Sequence, residues 1–457
     1  MKVISILIST VLWVSTTLSA ADKPNIIFLL ADDQRSGTLH LKGFGNSDTL
    51  TPTIDKLAES GAYFNNCYVF GSDRGSVCYP SRTQLLSGKC LFRYKELDLP
   101  SKNDQDFNLP YALRKAGYVT VRTGKANNVP YGINMEFNVN IERANRGSIA
   151  GNLGYFQDAT DFINQKEIKG LADQKLTWDG EQPFFLYIAV GTPHSPFPAE
   201  LEDQALFRED ELQLPPSFMV KHPVLTQYEK VKPREYSEDD GRNLLKEYYA
   251  SIKFMDRKLG ELIELLKKKR LYENTIFIVG SDNGLSLGNH GVDGKSNLME
   301  YGGMHVPLVV SGPGIENAKH RSLIYLLDLF PTICDFTGAA KPEKLDGESI
   351  KPILAGESEK VRKYLLTAYT EVEQRAIRDD RWKLLYFPDL DQYEFYDLES
   401  DPHELENLAK SEENADVFGR LKKQMDIQRA HFHDPYPEMV RIKRVYNKNR
   451  IGPALEI

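Results

Sequence analysis

Apolar and polar positions along most of the chain fall into short blocks whose period switches between that of a strand and that of a helix. Asn25 is followed by an uninterrupted apolar run to Leu30, and residues 25–30 predict a short buried strand ending in Ala31-Asp32-Asp33-Gln34. Thr51-Pro52 opens a helix that Gly61 stops. A strand at 62–69 then leads to a cysteine-containing segment. A helix at 109–116 precedes a strand at 118–122 that ends in Thr123-Gly124-Lys125, and a strand at 184–190 ends in Thr192-Pro193-His194. Residues 201–236 are rich in proline and charge and predict a surface excursion. Leu245, Tyr248, Tyr249, Ile252, Met255, Leu259, Leu262, Ile263 and Leu266 recur at helical spacing and predict a helix over 244–266. Strands follow at 275–280, ending in Ser281-Asp282-Asn283-Gly284, and at 307–310, then a helix at 323–336.

Strands alternating with helices predict an α/β fold, a large, mostly parallel sheet sandwiched by helices. From about residue 344 the pattern changes to short strands at 364–369, 374–378, 382–386 and 394–397, with a last helix at 415–431. That predicts a smaller C-terminal antiparallel sheet plus helix, and a division into residues 22–343 and 344–457.

The first twenty residues differ from the rest. Lys2 precedes an apolar run at 3–14 and small polar residues up to Ala20 and Ala21, the layout of a signal peptide over residues 1–20. The run is too short to span a bilayer. No later segment holds eighteen consecutive apolar residues, so the expectation is an exported chain, periplasmic or extracellular, with no membrane anchor. The chain has 57 basic and 65 acidic side chains, a net charge of −8. Proteins that hold nucleic acid by neutralising phosphates are usually basic, so nucleic acid is not the expected partner. A chain of 457 residues builds its core without a disulfide framework. Of Cys67, Cys78, Cys90 and Cys334, a Cys67–Cys90 bridge is one option, and Cys78 needs a separate explanation.

The polar clusters all follow strands, and ligands of open α/β sheets bind at that edge. Asp32-Asp33 and Asp282-Asn283 are oxygen-rich pairs. Adjacent carboxylates repel unless a cation neutralises them, and hard divalent cations such as Ca²⁺ or Mg²⁺ take such ligands; either pair taken alone is more often a helix or turn cap. A lone cysteine beside an arginine is ordinarily a small buried residue or a low-pKa nucleophile.

Cys78-Tyr79-Pro80-Ser81-Arg82, continuing to Ser87-Gly88-Lys89, is more specific than either. Here the chain resembles the formylglycine-dependent (type I) sulfatases of the alkaline-phosphatase-like superfamily, whose signature is C-x-P-S-R with a Ser/Thr-Gly-Arg/Lys end. The resemblance runs through the opening strand to Asp33, Gly124-Lys125, Pro193-His194-Ser195-Pro196, Gly288-Asn289-His290-Gly291 with Gly294-Lys295, Arg381-Trp382-Lys383-Leu384, and the segment from Tyr396 to Glu404.

The resemblance implies an enzyme that hydrolyses a sulfate ester. Cys78 is expected to be oxidised by a formylglycine-generating maturation enzyme. Its hydrate attacks sulfur, and the second hydroxyl expels sulfate; one bound Ca²⁺ is shared by residue 78, Asp32, Asp33, Asp282 and Asn283. By the same match Arg82, Lys125 and Lys295 supply fixed positive charge, His194 contacts sulfate and protonates the leaving oxygen, and His290 is a substrate-binding candidate. Export and acidity suit a sulfated carbohydrate as substrate. A phosphodiesterase or phosphonate hydrolase of the same superfamily is the alternative, as is a non-catalytic sulfated-glycan binder. One departure stands out: family members often read Gly-Lys-x-His, and here Asn127 holds the histidine's place, with an amide that cannot act as a base.

Overall fold

A computed structural model describes residues 23–41, 46–94, 108–228 and 235–436. The expected signal peptide, residues 1–20, lies outside the described residues. Every residue of strand β1 (Asn25–Ala31) is buried. Ile26, Phe28 and Leu30 enter one core with Leu85, Leu113 and Phe330, while Ile27, Leu29 and Ala31 enter another with Leu57, Phe162 and Leu259. A strand covered on both faces needs no polar alternation, which is why its sequence is apolar from Ile26 to Ala31.

Around it lie helix α1 (Pro52–Ser60), strands β2 (Ala62–Tyr68) and β3 (Gly71–Ser72), helices α2 (Cys78–Ser87) and α3 (Leu109–Lys115), and strands β4 (Val119–Lys125) and β5 (Val139–Arg143). Helix α4 (Ile149–Ile163), strand β6 (Phe184–Ala189), helix α5 (Glu238–Lys268) and strands β7 (Thr275–Ser281), β8 (His305–Ser311), β9 (Ala318–His320) and β10 (Ile324–Tyr325) follow, then helix α6 (Leu329–Thr337). The large sheet runs β9-β2-β8-β7-β1-β6-β4-β5, with β10 on β2. Its pairings are parallel except where β8 runs antiparallel between β7 and β2. Helices α2, α3 and α6 supply residues to one face, and α1, α4 and α5 to the other. The carboxyl ends of β1, β4, β6 and β7 therefore open onto one edge.

Strands β11 (Leu365–Tyr369), β12 (Gln374–Arg378), β13 (Trp382–Phe387) and β14 (Gln392–Asp397) form the small antiparallel sheet, covered by helix α7 (Ala415–His431). Strand β3 extends this sheet, pairing in parallel with β11. Gly71 permits the approach: a Cβ there would lie 1.8 Å from the Ala368 carbonyl oxygen.

Three expectations are corrected. The predicted helix at 323–336 begins only at Leu329, because Ile324 and Tyr325 pair with β2 and a single 3₁₀ turn (Leu326–Asp328) intervenes. The Asp328 carboxylate accepts from Tyr325 N at 2.7 Å and from both Arg362 Nη atoms, which fixes that turn. The excursion at 201–236 is no mere surface loop, since Phe207, Leu212, His222, Val224 and Leu225 are buried. The Cys67–Cys90 bridge is absent: all four cysteines are free, with Cys67 in a core of the large sheet and Cys90 in that of the small one.

Candidate active site

The cysteine signature has a local physical reading. Cys78 is the first residue of α2, Pro80 sits in its first turn, and Gly88 caps its end with φ +66°, donating to Gln84 O. Amides of a helix's first turn have no intrahelical acceptor, so proline is tolerated there. Arg82 follows Cys78 by one turn and so shares its face. Both are buried, with side chains aimed at one carboxylate cluster.

That cluster is built where β1 and β7 end. Consecutive residues of an extended strand point to opposite faces, but Asp33 adopts φ +74°, a conformation aspartate tolerates, and both carboxylates reach one point. Asp32 Oδ1 lies 3.1 Å and Asp33 Oδ1 3.6 Å from Cys78 Sγ. Asp282 Oδ1 accepts from Asp33 N at 3.2 Å, and Asn283 Nδ2 donates to Asp33 Oδ1 at 2.6 Å. The Gln34 N–H donates to Ser281 Oγ at 2.8 Å, locking the two strand ends together.

Three cations balance three carboxylates. Arg82 Nε donates to Asp282 Oδ2 at 2.7 Å, and Asn128, with its amide oxygen turned inward, accepts from Arg82 Nε and Nη1 at 3.0 and 3.1 Å. Lys125 Nζ lies 2.8 Å from Asp32 Oδ2 and 4.0 Å from Cys78 Sγ. Lys295 Nζ lies 2.5 Å from Asp33 Oδ1 and 3.0 Å from Sγ. Burial opposes ionisation of Asp32, but Arg82, Lys125 and Lys295 outweigh it and hold its carboxyl well below the usual range. Burial, reinforced by Asp32 and Asp33, leaves the Asp282 carboxyl raised despite Arg82. Burial, then Asp282 and Asp32, pushes the Cys78 thiol well above its ordinary value, so the unmodified side chain stays a neutral thiol.

His194 stands at the rim, its Nε2 3.6 Å from Asp33 Oδ2. Its Nδ1 lies 2.7 Å from the Ser195 carbonyl oxygen, which can only accept. Nδ1 therefore carries the proton in the neutral ring, and Nε2 is the atom that gains or loses one. A further cation escaped the sequence reading: Arg146, whose Nη1 lies 3.9 Å from Asp32 Oδ2. Nothing in its sequence context marks it, because its proximity arises from the fold alone.

Two candidates sit elsewhere. Asn127 is exposed, with φ +56°, and its recorded contact is a backbone N–H to Glu142 Oε2 at 3.4 Å. His290 is buried edge-to-face on His222, ring centroids 5.5 Å apart; burial, His222 and Lys383 lower its pKa to about 3. Among the described residues it makes no hydrogen bond or ion pair with the carboxylate cluster.

The small sheet holds the segment that carries Lys295. Gln374 on β12 accepts from Leu298 N at 3.3 Å and donates to Ser296 O at 3.1 Å. Lys383 on β13 donates to Leu298 O at 2.6 Å and pairs with Glu300 and Glu404, each at 2.8 Å. His305 Nδ1 also faces Glu300, 3.1 Å away.

Ligand atoms of Asp32, Asp33, Cys78 and Asp282 lie within 4.8 Å of one another. Asn283 Oδ1 is buried without a hydrogen-bond partner. A set of carboxylate oxygens beside one orphaned amide oxygen fits a hard divalent cation. In the other acidic group, Glu200, Glu202 and Asp203, all three carboxylates contact the Arg257 guanidinium.

Comparison with known proteins identifies the family. Residues 24–339 match the Sulfatase family model, and residues 288–431 match the model described as N-sulphoglucosamine sulphohydrolase, C-terminal. The chain is 28% identical to a choline-sulfatase of Rhizobium meliloti, covering 90% of this chain and 87% of the relative. It is 25% identical to an N-acetylglucosamine-6-O-sulfatase of Bacteroides thetaiotaomicron, covering 91% and 88%. A protein solved in complex with its substrate D-glucosamine-2-N,6-O-disulfate shares the fold with a TM-score of 0.74 at 22% identity, covering 91% of this chain and 99% of that one. A phosphonate monoester hydrolase of Agrobacterium radiobacter shares it with a TM-score of 0.71 at 21% identity, covering 90% and 96%. The fold is thus common to both chemistries, whereas the family model extends over most of the chain and includes the cysteine helix and both acidic pairs. The chain belongs to the sulfatase family, the sulfuric ester hydrolases.

Proposed function

We propose that this protein is an exported sulfatase that hydrolyses a sulfate ester on a carbohydrate, with Cys78 matured to formylglycine and one Ca²⁺ held by Asp32, Asp33, Asp282, Asn283 and residue 78. The observation that carries the reading is the convergence on Cys78 Sγ of two carboxylates and two lysines. A thiol kept neutral by its surroundings is a poor nucleophile, which favours a matured residue there. The carbohydrate class rests on the relatives that act on N-acetylglucosamine 6-sulfate and on ulvan.

Formylglycine, when hydrated, supplies one hydroxyl to attack sulfur and a second to release sulfate. A divalent cation supplies Lewis acidity and charge neutralisation at that carbon. The chain's own groups do the rest. Lys125 and Lys295 hold the sulfate oxygens against residue 78 and offset charge as it develops. His194 Nε2 gives its proton to the leaving alcohol oxygen. Arg82, pinned by Asp282 and Asn128, orients the carboxylates.

The test uses protein produced with the maturation enzyme. Sulfate release is measured from sulfated mono- and disaccharides, choline sulfate, and a phosphonate monoester, with metal content determined on the same sample. The reading expects one Ca²⁺ per chain and highest kcat/KM on a sulfated sugar. Preference for choline sulfate removes the carbohydrate claim, preference for the phosphonate with two metals supports the phosphonate hydrolase reading, and binding without turnover leaves a glycan binder.

A further inference from the structure

Among the described residues, Arg146 is a charged group near the carboxylate cluster that neither the cluster nor the proposed chemistry accounts for. Its side chain is 36% exposed, and its ion pair among those residues is the distant one to Asp32 Oδ2 at 3.9 Å. That oxygen already receives Lys125 at 2.8 Å. Asp32, Asp33 and Asp282 are matched in charge by Arg82, Lys125 and Lys295, so the Arg146 guanidinium is surplus, and a bound divalent cation makes it more so.

Its position is nevertheless built. The Arg146 carbonyl accepts from the buried Asn152 Nδ2 at 2.7 Å, and Asn152 Oδ1 accepts from Gly191 N at 2.9 Å. A Cβ on Gly191 would lie 2.5 Å from the Arg146 carbonyl oxygen, so the chain segment after β6 requires glycine to let it approach. The backbone is clamped, while the side chain, whose guanidinium is a fork of five donors, stays partly exposed beside Asp32.

Lys125 and Lys295 are the cations within 4.0 Å of Cys78 Sγ, and Arg146 is not. It stands farther from the reacting atom, on the Asp32 oxygen remote from the sulfur.

We infer that Arg146 binds a second anionic group of the substrate, a carboxylate or another sulfate carried next to the scissile ester, and so selects polyanionic sugars. This rests on the sulfatase reading given above. A sulfate ester brings one charge, which a divalent cation and the two lysines answer together; a guanidinium set outside them answers a second, and it pairs bidentately with either anion.

Equilibrium binding separates the two ideas. Calorimetry is run on the full chain carrying Cys78→Ser, with and without Arg146→Gln or Arg146→Lys, in Ca²⁺ buffer. One ligand pair is glucosamine 2-N,6-O-disulfate against N-acetylglucosamine 6-sulfate, which differ in a charged or neutral nitrogen substituent. The other is a chondroitin 6-sulfate disaccharide against its carboxyl methyl ester. The doubly charged member of at least one pair should bind about tenfold tighter, a gap typical of one charge-assisted contact. Arg146→Gln should erase that gap, and Arg146→Lys should keep part of it; the pair that responds identifies sulfate or carboxylate. Equal binding within both pairs, absence of binding, or a gap that survives Arg146→Gln overturns the inference. Failure of the sulfatase reading shows separately, as absence of sulfate release by matured protein.

Discussion

Lys295 Nζ sits 3.0 Å from Cys78 Sγ although 217 positions separate them in the chain. Burial works against its ammonium, but Asp33, with Asp32 and Asp282 behind it, outweighs that and raises its pKa well above the usual value, so it is a permanent cation at the reacting atom. Lys295→Met should lower kcat/KM by about 10²–10³-fold, the effect typical of removing one preorganised donor from a transition state. Steady-state kinetics with the best sulfated sugar checks this; a change under threefold contradicts the role.

In the proposed mechanism the proton traffic falls to His194 rather than Asn127. Asn127 is exposed and cannot act as a base, whereas His194 presents Nε2 toward Asp33. His194→Gln keeps a polar side chain there without the titrating nitrogen. Its kcat should fall about 10²–10⁴-fold, the usual range for losing a general acid or base. Substrates with a strongly acidic leaving alcohol should suffer least, because they need no proton, and a uniform loss across leaving groups contradicts the assignment.

Gln374 is a positioning residue. It touches Leu298 N and Ser296 O, and so the segment that follows Lys295. Gln374→Leu removes both bonds and strands two backbone groups. Stability should drop by about 1–3 kcal/mol, and kcat should fall about tenfold with KM changed less. A variant with the lower melting temperature but unchanged kcat would show that the small sheet does not set Lys295.

The buried His290 makes stability depend on pH. Its folded pKa is near 3 against the usual 6.5, because of burial, His222 and Lys383. The unfolded chain therefore takes up the proton first. Stability is full above about pH 6.5 and is lost as pH falls toward 3, by roughly 2 kcal/mol at pH 5 for this one group. His290→Asn, which keeps a residue tolerant of φ +56°, should flatten the fall in unfolding free energy between pH 7 and pH 5. The partly buried His320 and His403, whose pKa values burial also lowers, leave a residual slope. An unchanged slope in His290→Asn contradicts this.

Much of this was legible in the sequence. The central strands β1, β6 and β7 are largely apolar runs because both faces are covered, and the cysteine helix carries its spacing in the chain itself. Asp32, Asp33, Asp282, Asn283, Lys125 and His194 all follow or end strands whose carboxyl ends share one edge, and Lys295 stands in the connection between β7 and β8. Arg146 and Gln374 were not legible: each matters through a contact with residues distant in the chain, and neither stands in a distinctive local pattern. The first turn of α5 was missed because Glu238, Asp239 and Asp240 are polar, although Ser237 and Asp240 form a capping box. The apolar stretch before α6 fits helix and strand equally, and only the open edge of β2 decides it.

The central claim is that the side chain at position 78 acts as formylglycine. The most direct measurement combines mass spectrometry of the peptide containing Cys78 with sulfate release, on preparations made with graded amounts of maturation enzyme. Turnover per chain should rise in proportion to the fraction carrying the aldehyde and extrapolate to zero for the unmodified thiol. Full turnover by protein whose Cys78 is entirely unmodified would contradict the account.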